Sequence, residues 1–136
     1  MTAKVEIYNP AALGKPLGQY SHVTRVMASE FLFIAGMLAA DKDGNTVGIG
    51  DFERQCEQVF GNVEAALKSA GAGWGNVVQF TTYLVHSQSI PAFMTYRKRA
   101  FPLFFPDGKY PPNTLLMVDR LVREEFLVEV QTIAAV

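Results

Sequence analysis

The sequence has few of the features that would place it in a specialised class of protein. A single cysteine, Cys56, excludes an internal disulfide bond. The longest apolar run, 31–40, is much shorter than the ~20 residues that a membrane-spanning helix needs. The N-terminus, MTAKVEIYNP, has no apolar stretch of the kind found in secretory signal peptides. These absences favour a soluble, cytoplasmic protein that does not bind membranes.

An excess of charge of one sign is also missing. Twelve basic and thirteen acidic residues give a formal net charge of −1, with a pI of about 6.1. No global field therefore attracts nucleic acid or an anionic membrane, and neither is predicted as a partner. The two histidines, His22 and His86, lie far apart in sequence and no metal-ligand spacing joins them, so no metal site is predicted.

Strand and helix patterns, by contrast, fill the whole chain, and 49% of its residues are hydrophobic. They predict the order β-β-β-α-β-α-β-β in one domain, residues 1–136. The apolar run Phe31–Met37 is typical of a buried strand. A helix is predicted from a cap at Asp51 to Ser69, with Gly71 as its stop. The other predicted elements are strands at 4–8, 20–27, 76–85, 113–119 and 126–136, a hairpin turn at 28–30, and a second helix from Ser87 or Ser89 that Pro102 ends or bends.

This order predicts an α+β fold with one mixed sheet and both helices on one of its faces. Each helix has a single apolar stripe, so nothing in the chain remains to cover the other face. That face would still carry part of the Phe31 run and alternate residues of the strand at 76–85. Because large exposed apolar areas usually mark a partner surface, we expect a homo-oligomer with sheets packed face to face and clefts between subunits.

The last two strands carry the polar residues that stand out most. Glu129 lies in an otherwise apolar strand, where a carboxylate costs free energy unless it is paired or used. Desolvation there would raise its pKa, which suits general acid–base catalysis. The pair Asn113–Thr114 opens the preceding strand just after two prolines. A structural alternative for Glu129 is an ion pair with a basic residue across a subunit interface.

Four blocks, in order, resemble the Rid (YjgF/YER057c/UK114) family. They are LGQYSHVTRV, FLFIAGMLAADKDGNTVG, GDFERQCEQVFGNVEAALKSAGAGWGNVVQFTTYLV, and an ending that contains PNT and closes with LVEVQTIAAV. The resemblance implies a chorismate-mutase-like fold and a homotrimer whose sheets line a central barrel. It also implies small-molecule sites in clefts between subunits, hydrolysis of reactive 2-imino or 2-enamino acids (deamination), and no cofactor.

The resemblance also assigns residues to the cleft. It implies that Tyr20 and Glu129 are the catalytic residues. Substrate-binding positions correspond to Gly36, Asn113, Thr114 and, on the second helix, Thr95. The family's glutamine after the cleft glycine is replaced here by Met37.

The largest departure is at position 113, where the family has an arginine. A guanidinium grips a carboxylate with two charge-assisted hydrogen bonds, whereas the amide of Asn113 can donate only one neutral bond. Three functions therefore remain open. They are an imine or enamine hydrolase with altered substrate choice, a non-catalytic metabolite-binding or regulatory trimer, and a ribonuclease, which the net charge of −1 and the lack of a histidine pair do not support.

The remaining reactive and charged residues have structural interpretations. Cys56 lies on the apolar stripe of the first helix and is interpreted as an inert core thiol. Basic residues cluster at 97–99 and recur as Arg120 and Arg123. Such a cluster is usually a solvated helix face, but one of these arginines could replace the missing clamp from another direction.

Overall fold

The computed structural model describes residues 2–136 and has the predicted α+β architecture and order of elements. Its strands are β1 (Lys4–Tyr8), β2 (Val23–Met27), β3 (Phe31–Met37), β4 (Val77–Leu84), β5 (Asn113–Met117) and β6 (Val128–Ala135). Its helices are α1 (Phe52–Ser69) and α2 (Ser89–Phe104), with a short 3₁₀ turn at Trp74–Asn76.

The main sheet has four strands in the order β3-β6-β4-β5. β6 pairs antiparallel with both β3 and β4, while β4 and β5 run parallel, so the sheet is mixed as predicted. A parallel pair needs a crossover connection, and α2 supplies it between β4 and β5. The two last strands of the chain therefore lie on either side of β4.

The prediction of a single sheet with a hairpin at 28–30 is wrong. β2 pairs with β1 in a separate two-stranded ribbon, and β3 pairs with β6. Glu30 and Val136 exchange two backbone hydrogen bonds, at 3.4 and 3.0 Å, which direct the chain from the ribbon onto the end of β6 instead of folding β3 back on β2. The Thr24 hydroxyl donates to the Val78 carbonyl at 2.9 Å and ties the ribbon to β4.

α1 begins and ends where its caps place it. The Asp51 carboxylate accepts a hydrogen bond from the Arg54 amide at 3.0 Å. At the other end Gly71 adopts φ +70°, which favours glycine, and its amide donates to the Lys68 carbonyl at 3.0 Å. Both helix ends are therefore encoded locally, and the predicted limits are confirmed.

α2 continues past Pro102 to Phe104, so the proline lies inside the helix. Pro102 removes the hydrogen bond to the Lys98 carbonyl, but Lys98 is exposed and only the last turn is affected. The two helices share an aromatic core centred on Phe60. Its ring lies within 6.5 Å of the rings of Trp74, Phe80, Phe93, Tyr96, Phe101 and Phe104, measured between centroids.

The two faces of the sheet differ sharply in cover. Side chains on the helix side are buried, including Phe80, Val128 and Val130. On the opposite side Phe33 is 78% exposed, although Ile34, the next residue of β3, is only 8% exposed. We call the opposite side the bare face. Within residues 2–136, neither helix combines the length and the apolar character that crossing a membrane requires.

Candidate functional site

The bare face is built from alternate residues of the four main-sheet strands. Tyr83 of β4 stands opposite Glu129 of β6 on one side and opposite Leu116 of β5 on the other. The next row places Thr81 between Gln131 and Thr114. The face is completed by Phe31, Phe33, Gln79 and Ile133. It thus combines apolar side chains with one carboxylate and several hydrogen-bonding groups.

Glu129 and Gly36 are in direct contact, as expected for two residues of one site. β3 has an irregularity between Ile34 and Met37, which brings Gly36 against the side chain of Glu129. A Cβ atom built on Gly36 would overlap Oε2 of Glu129 and lie 2.9 Å from its Cγ. Only glycine at position 36 leaves the carboxylate where it is.

The Glu129 carboxyl group is half-buried and has no cation beside it. Burial raises its pKa above the ordinary glutamate value. Within residues 2–136 no lysine, arginine or histidine lies within 4.0 Å of it, so the protomer itself supplies no ion pair. The carboxylate is therefore placed to exchange a proton with a ligand on the bare face.

Two neighbours of Glu129, Tyr83 and Gln131, are not among the site residues that the resemblance assigns. The Tyr83 hydroxyl donates to Oε1 of Gln131 at 3.3 Å, which leaves a polar group on each side of the carboxylate. Both residues follow from strand alternation, because they have the same parity as Thr81 and Glu129 in their strands. The cross-strand register that brings them together could not be read from the sequence.

Asn113 lies on the other side of the sheet. It pairs with Phe80, whose side chain belongs to the core, and its Oδ1 accepts a hydrogen bond at 2.7 Å from the buried hydroxyl of Thr82. Thr114, one residue further on, points to the bare face in the row of Thr81. Thr114 thus shares a face with Glu129, whereas Asn113 shares one with α2.

Tyr20 lies against an arginine rather than against Glu129. Its hydroxyl oxygen accepts from the Leu17 amide at 3.1 Å. The guanidinium carbon of Arg97 is 5.7 Å from the centre of the Tyr20 ring and 5.1 Å from that of Phe93. Arg97 is only 2% exposed, and burial lowers its pKa to about 10, which still leaves it charged at neutral pH.

Most hydrogen-bonding groups of the Arg97 guanidinium have no partner. Its Nη2 contacts Sδ of Met94 at 3.0 Å, while Nε and Nη1 are buried without a partner. The neighbouring His22, whose ring centre is 6.2 Å from that of Tyr20, also has a buried nitrogen, Nδ1, without a partner. His22 lines a cavity of about 340 Å³ next to Thr24, Gln79 and Pro112.

The other arginines that could have replaced the missing clamp make contacts elsewhere. Arg99 pairs with Glu53 and Arg120 with Glu124, both on exposed surface. Arg123 donates to the Gly44 carbonyl at 2.8 Å and to the Thr46 hydroxyl at 3.1 Å. Thr95, the predicted binding residue of α2, is exposed on the helix surface.

Four of the six predicted site residues form two groups within one protomer, while Asn113 and Thr95 belong to neither. Gly36, Glu129 and Thr114 lie on the bare face, whereas Tyr20 lies with Arg97. Gln79 borders the cavity next to His22 and precedes Tyr83 by four residues, which corresponds to ~13 Å along a strand. The first group offers proton exchange and the second offers a positive charge.

Comparisons with known proteins agree over nearly the whole chain. The family described as endoribonuclease L-PSP matches residues 10–136. A RutC family protein from Synechocystis is 32% identical over 96% of this chain and 95% of its own. One from Pyrococcus abyssi is 30% identical over 88% of each chain. The solved structure of the Rid family protein YyfB from Yersinia pestis, whose function is unknown, has a TM-score of 0.86 at 28% identity, covering 97% of this chain and 98% of that one.

Proposed function

The chain belongs to the endoribonuclease L-PSP (Rid) family, and from this premise we propose that it forms a homotrimer that binds and hydrolyses small reactive imines or enamines. The reaction would take place in clefts between subunits, in the cytoplasm, and would need no cofactor. The observation that carries the proposal is Glu129, a half-buried carboxylate with a raised pKa that touches Gly36 on the bare face. We take residues 1–136 as one domain.

Glu129 has the properties that imine hydrolysis requires. A water molecule must add to the carbon of the C=N bond, and its proton must reach the nitrogen before ammonia can leave and a carbonyl group remain. A carboxyl group whose pKa is raised towards neutrality can accept the proton from water and return it to nitrogen. We expect Tyr20 and Thr114 to orient the substrate.

The bare face supports the oligomer on which the cleft depends. Phe33 is 78% exposed and Phe31 is 47% exposed on adjacent positions of one strand face. Leaving such residues in water forgoes about 25 cal/mol for each Å² of apolar surface. A partner that covers this face would also bring its own residues close to Glu129, which is how the two groups of site residues could meet.

A coupled assay tests the proposal directly. An amino-acid oxidase generates the imine, and semicarbazide captures what remains unhydrolysed, so a hydrolase lowers the yield of semicarbazone. We expect the wild-type protein to do so and Glu129→Gln to lose about 10²-fold or more of the rate. Neutral, amide-bearing substrates belong in the panel because Asn113 replaces an arginine. No acceleration by a folded oligomer on any substrate would refute the hydrolase function.

A binding protein without catalysis is the second candidate, and Asn113 is the observation that favours it. Its Oδ1 is held by Thr82, so the residue cannot replace a guanidinium clamp. Ligand binding without turnover would support this alternative. A ribonuclease function has less support, because the basic residues Arg99 and Arg120 are paired with acidic ones and the net charge is −1.

A further inference from the structure

Arg97 is a buried charged side chain whose neighbours do not replace the water that a guanidinium normally binds. A guanidinium taken out of water is costly unless acceptors replace its hydration. Arg97 is 2% exposed, and no carboxylate of residues 2–136 lies within 4.0 Å of it. Its neighbours are the rings of Tyr20, Phe93 and Phe101 and the sulfur of Met94.

Cation–π contacts alone do not satisfy this group. They act through the ring faces on the positive charge, whereas the N–H groups at Nε and Nη1 still need acceptors in the plane of the guanidinium. Nε and Nη1 belong to different edges of the guanidinium, because the N–H groups that run parallel are those of Nε with Nη2 and of Nη1 with Nη2. Each of the two free nitrogens can therefore donate one charge-assisted hydrogen bond to an anionic oxygen.

A second buried nitrogen without a hydrogen-bond partner lies beside the first. Of the four buried side-chain polar atoms without a partner within residues 2–136, three belong to Arg97 and His22. Both residues flank the Tyr20 ring. The Tyr20 hydroxyl already accepts from the Leu17 amide, so its own proton is available for donation. The cluster therefore offers donors to an anion and contains no acidic side chain.

Access to this cluster depends on an irregular part of the chain. The backbone of Gly18 lies on the guanidinium, since a Cβ there would be 2.8 Å from Nη2 and 2.8 Å from Cε of Met94. Gly18 and Tyr20 belong to segment 9–22, which contains no strand or helix. A movement of this segment would not break the sheet. His22 already borders the open cavity of about 340 Å³.

We propose that Arg97, together with Tyr20 and His22, binds the carboxylate of a small anionic ligand, and that it does so from α2 in place of the arginine absent at position 113. The proposal rests on the function proposed above in one respect, because Tyr20 is shared with that cleft. It implies that substrate choice still favours an acid, although Asn113 suggests a neutral substrate.

The test compares a ligand with and without the negative charge. Pyruvate and its neutral amide, pyruvamide, are titrated into the oligomer by calorimetry. We expect the wild-type protein to bind pyruvate about tenfold to a hundredfold more tightly than pyruvamide. Arg97→Met should abolish this preference. The control Arg99→Met removes an exposed arginine of the same helix and should keep it. A wild-type protein that binds neither ligand, or both equally, overturns the proposal.

Thermal unfolding without ligand separates a binding role from a structural one. If Arg97 awaits an anion, Arg97→Met removes an uncompensated charge, so the unfolding temperature should stay the same or rise. If Arg97 stabilises the fold through its rings, the unfolding temperature should fall. A lower unfolding temperature combined with an intact preference for pyruvate overturns the proposal. Should Arg97→Met not fold, Arg97→Lys retains the charge without the planar fork and should keep less of the preference.

The two proposals fail in different ways. A protein that prefers pyruvate through Arg97 but hydrolyses no imine would refute the hydrolase and retain the anion site. A protein that hydrolyses acidic imines equally well with Arg97→Met would refute the anion site and retain the hydrolase.

Discussion

Phe33 and Ile34 are consecutive residues of one strand, yet 78% of the first and only 8% of the second is exposed. The difference separates the two faces of the same sheet. The covered face is closed by α1, α2 and an aromatic cluster, whereas the bare face holds large apolar side chains together with Glu129. The covered face therefore stabilises the protomer itself. The bare face is the surface on which a partner subunit or a ligand is expected to bind.

Truncating the covered face should have the largest effect on folding. Phe60→Ala removes the ring at the centre of the aromatic core, where it is 1% exposed. We expect the free energy of unfolding to fall by about 3–5 kcal/mol. Urea denaturation measures it. Leu103→Ala, at a position that is 77% exposed, should change it by less than about 0.5 kcal/mol. Equal costs for the two variants would mean that Phe60 is not the centre of the core.

A charge on the bare face should affect assembly instead. Phe33→Asp places a carboxylate where a partner is expected to pack, at a cost on the order of 2–4 kcal/mol per interface. Sedimentation velocity should show smaller species than for the wild-type protein. Leu103→Asp is the matched control, because Leu103 is 77% exposed and Phe33 is 78% exposed. Dissociation by the control but not by Phe33→Asp would place the contact surface on α2.

A methyl group at Gly36 should change catalysis more than folding. Gly36→Ala forces the Glu129 carboxylate to move, since the new Cβ would overlap Oε2. A displacement of this size is expected to lower the hydrolysis rate about 10²-fold. Gly61→Ala, where the Cβ meets nothing within 4 Å on α1, should leave the rate unchanged and stabilise the helix. An unchanged rate in Gly36→Ala would remove Glu129 from the mechanism.

The smallest expected effect is the pH dependence of stability at Glu129. Burial raises the pKa of Glu129 in the folded state, so its protonated form stabilises folding and this contribution is lost as the pH rises through that pKa. Glu129→Gln should match the wild type below about pH 4 and be more stable at pH 7, by less than about 1 kcal/mol because the side chain is half-buried. Urea denaturation at several pH values measures this difference. A less stable variant at pH 7 would indicate an ion pair across the interface.

The elements that sequence reasoning predicted well are those whose limits are set by nearby residues. α1 runs as predicted from the Asp51 cap to Ser69 because side-chain and glycine caps act within one turn. The apolar run Phe31–Met37 is β3, but β3 is an edge strand on which Phe31 and Phe33 are exposed, so the prediction of a buried strand is correct for one face only. The predicted β2–β3 hairpin failed because pairing depends on distant chain, here the bonds between Glu30 and Val136.

Only part of the candidate site was predicted from the sequence. Gly36 and Glu129 were named from the resemblance and are in contact. The resemblance assigned both Asn113 and Glu129 to one cleft. The parallel register of β4 and β5 instead places Asn113 on the helix side of the sheet. Arg97 was grouped with solvated charges, although its position four residues from both Phe93 and Phe101 places it on the buried stripe of α2.

Cys56 can report how often this fold opens locally. It is the only thiol of the chain, it is 0% exposed on α1, and burial and the nearby Glu53 raise its pKa. A thiol reagent can therefore react only when α1 separates from the sheet, since the thiolate is the reactive form. The rate of modification therefore measures how readily the Cys56 thiol becomes exposed, and each modified molecule carries a single label.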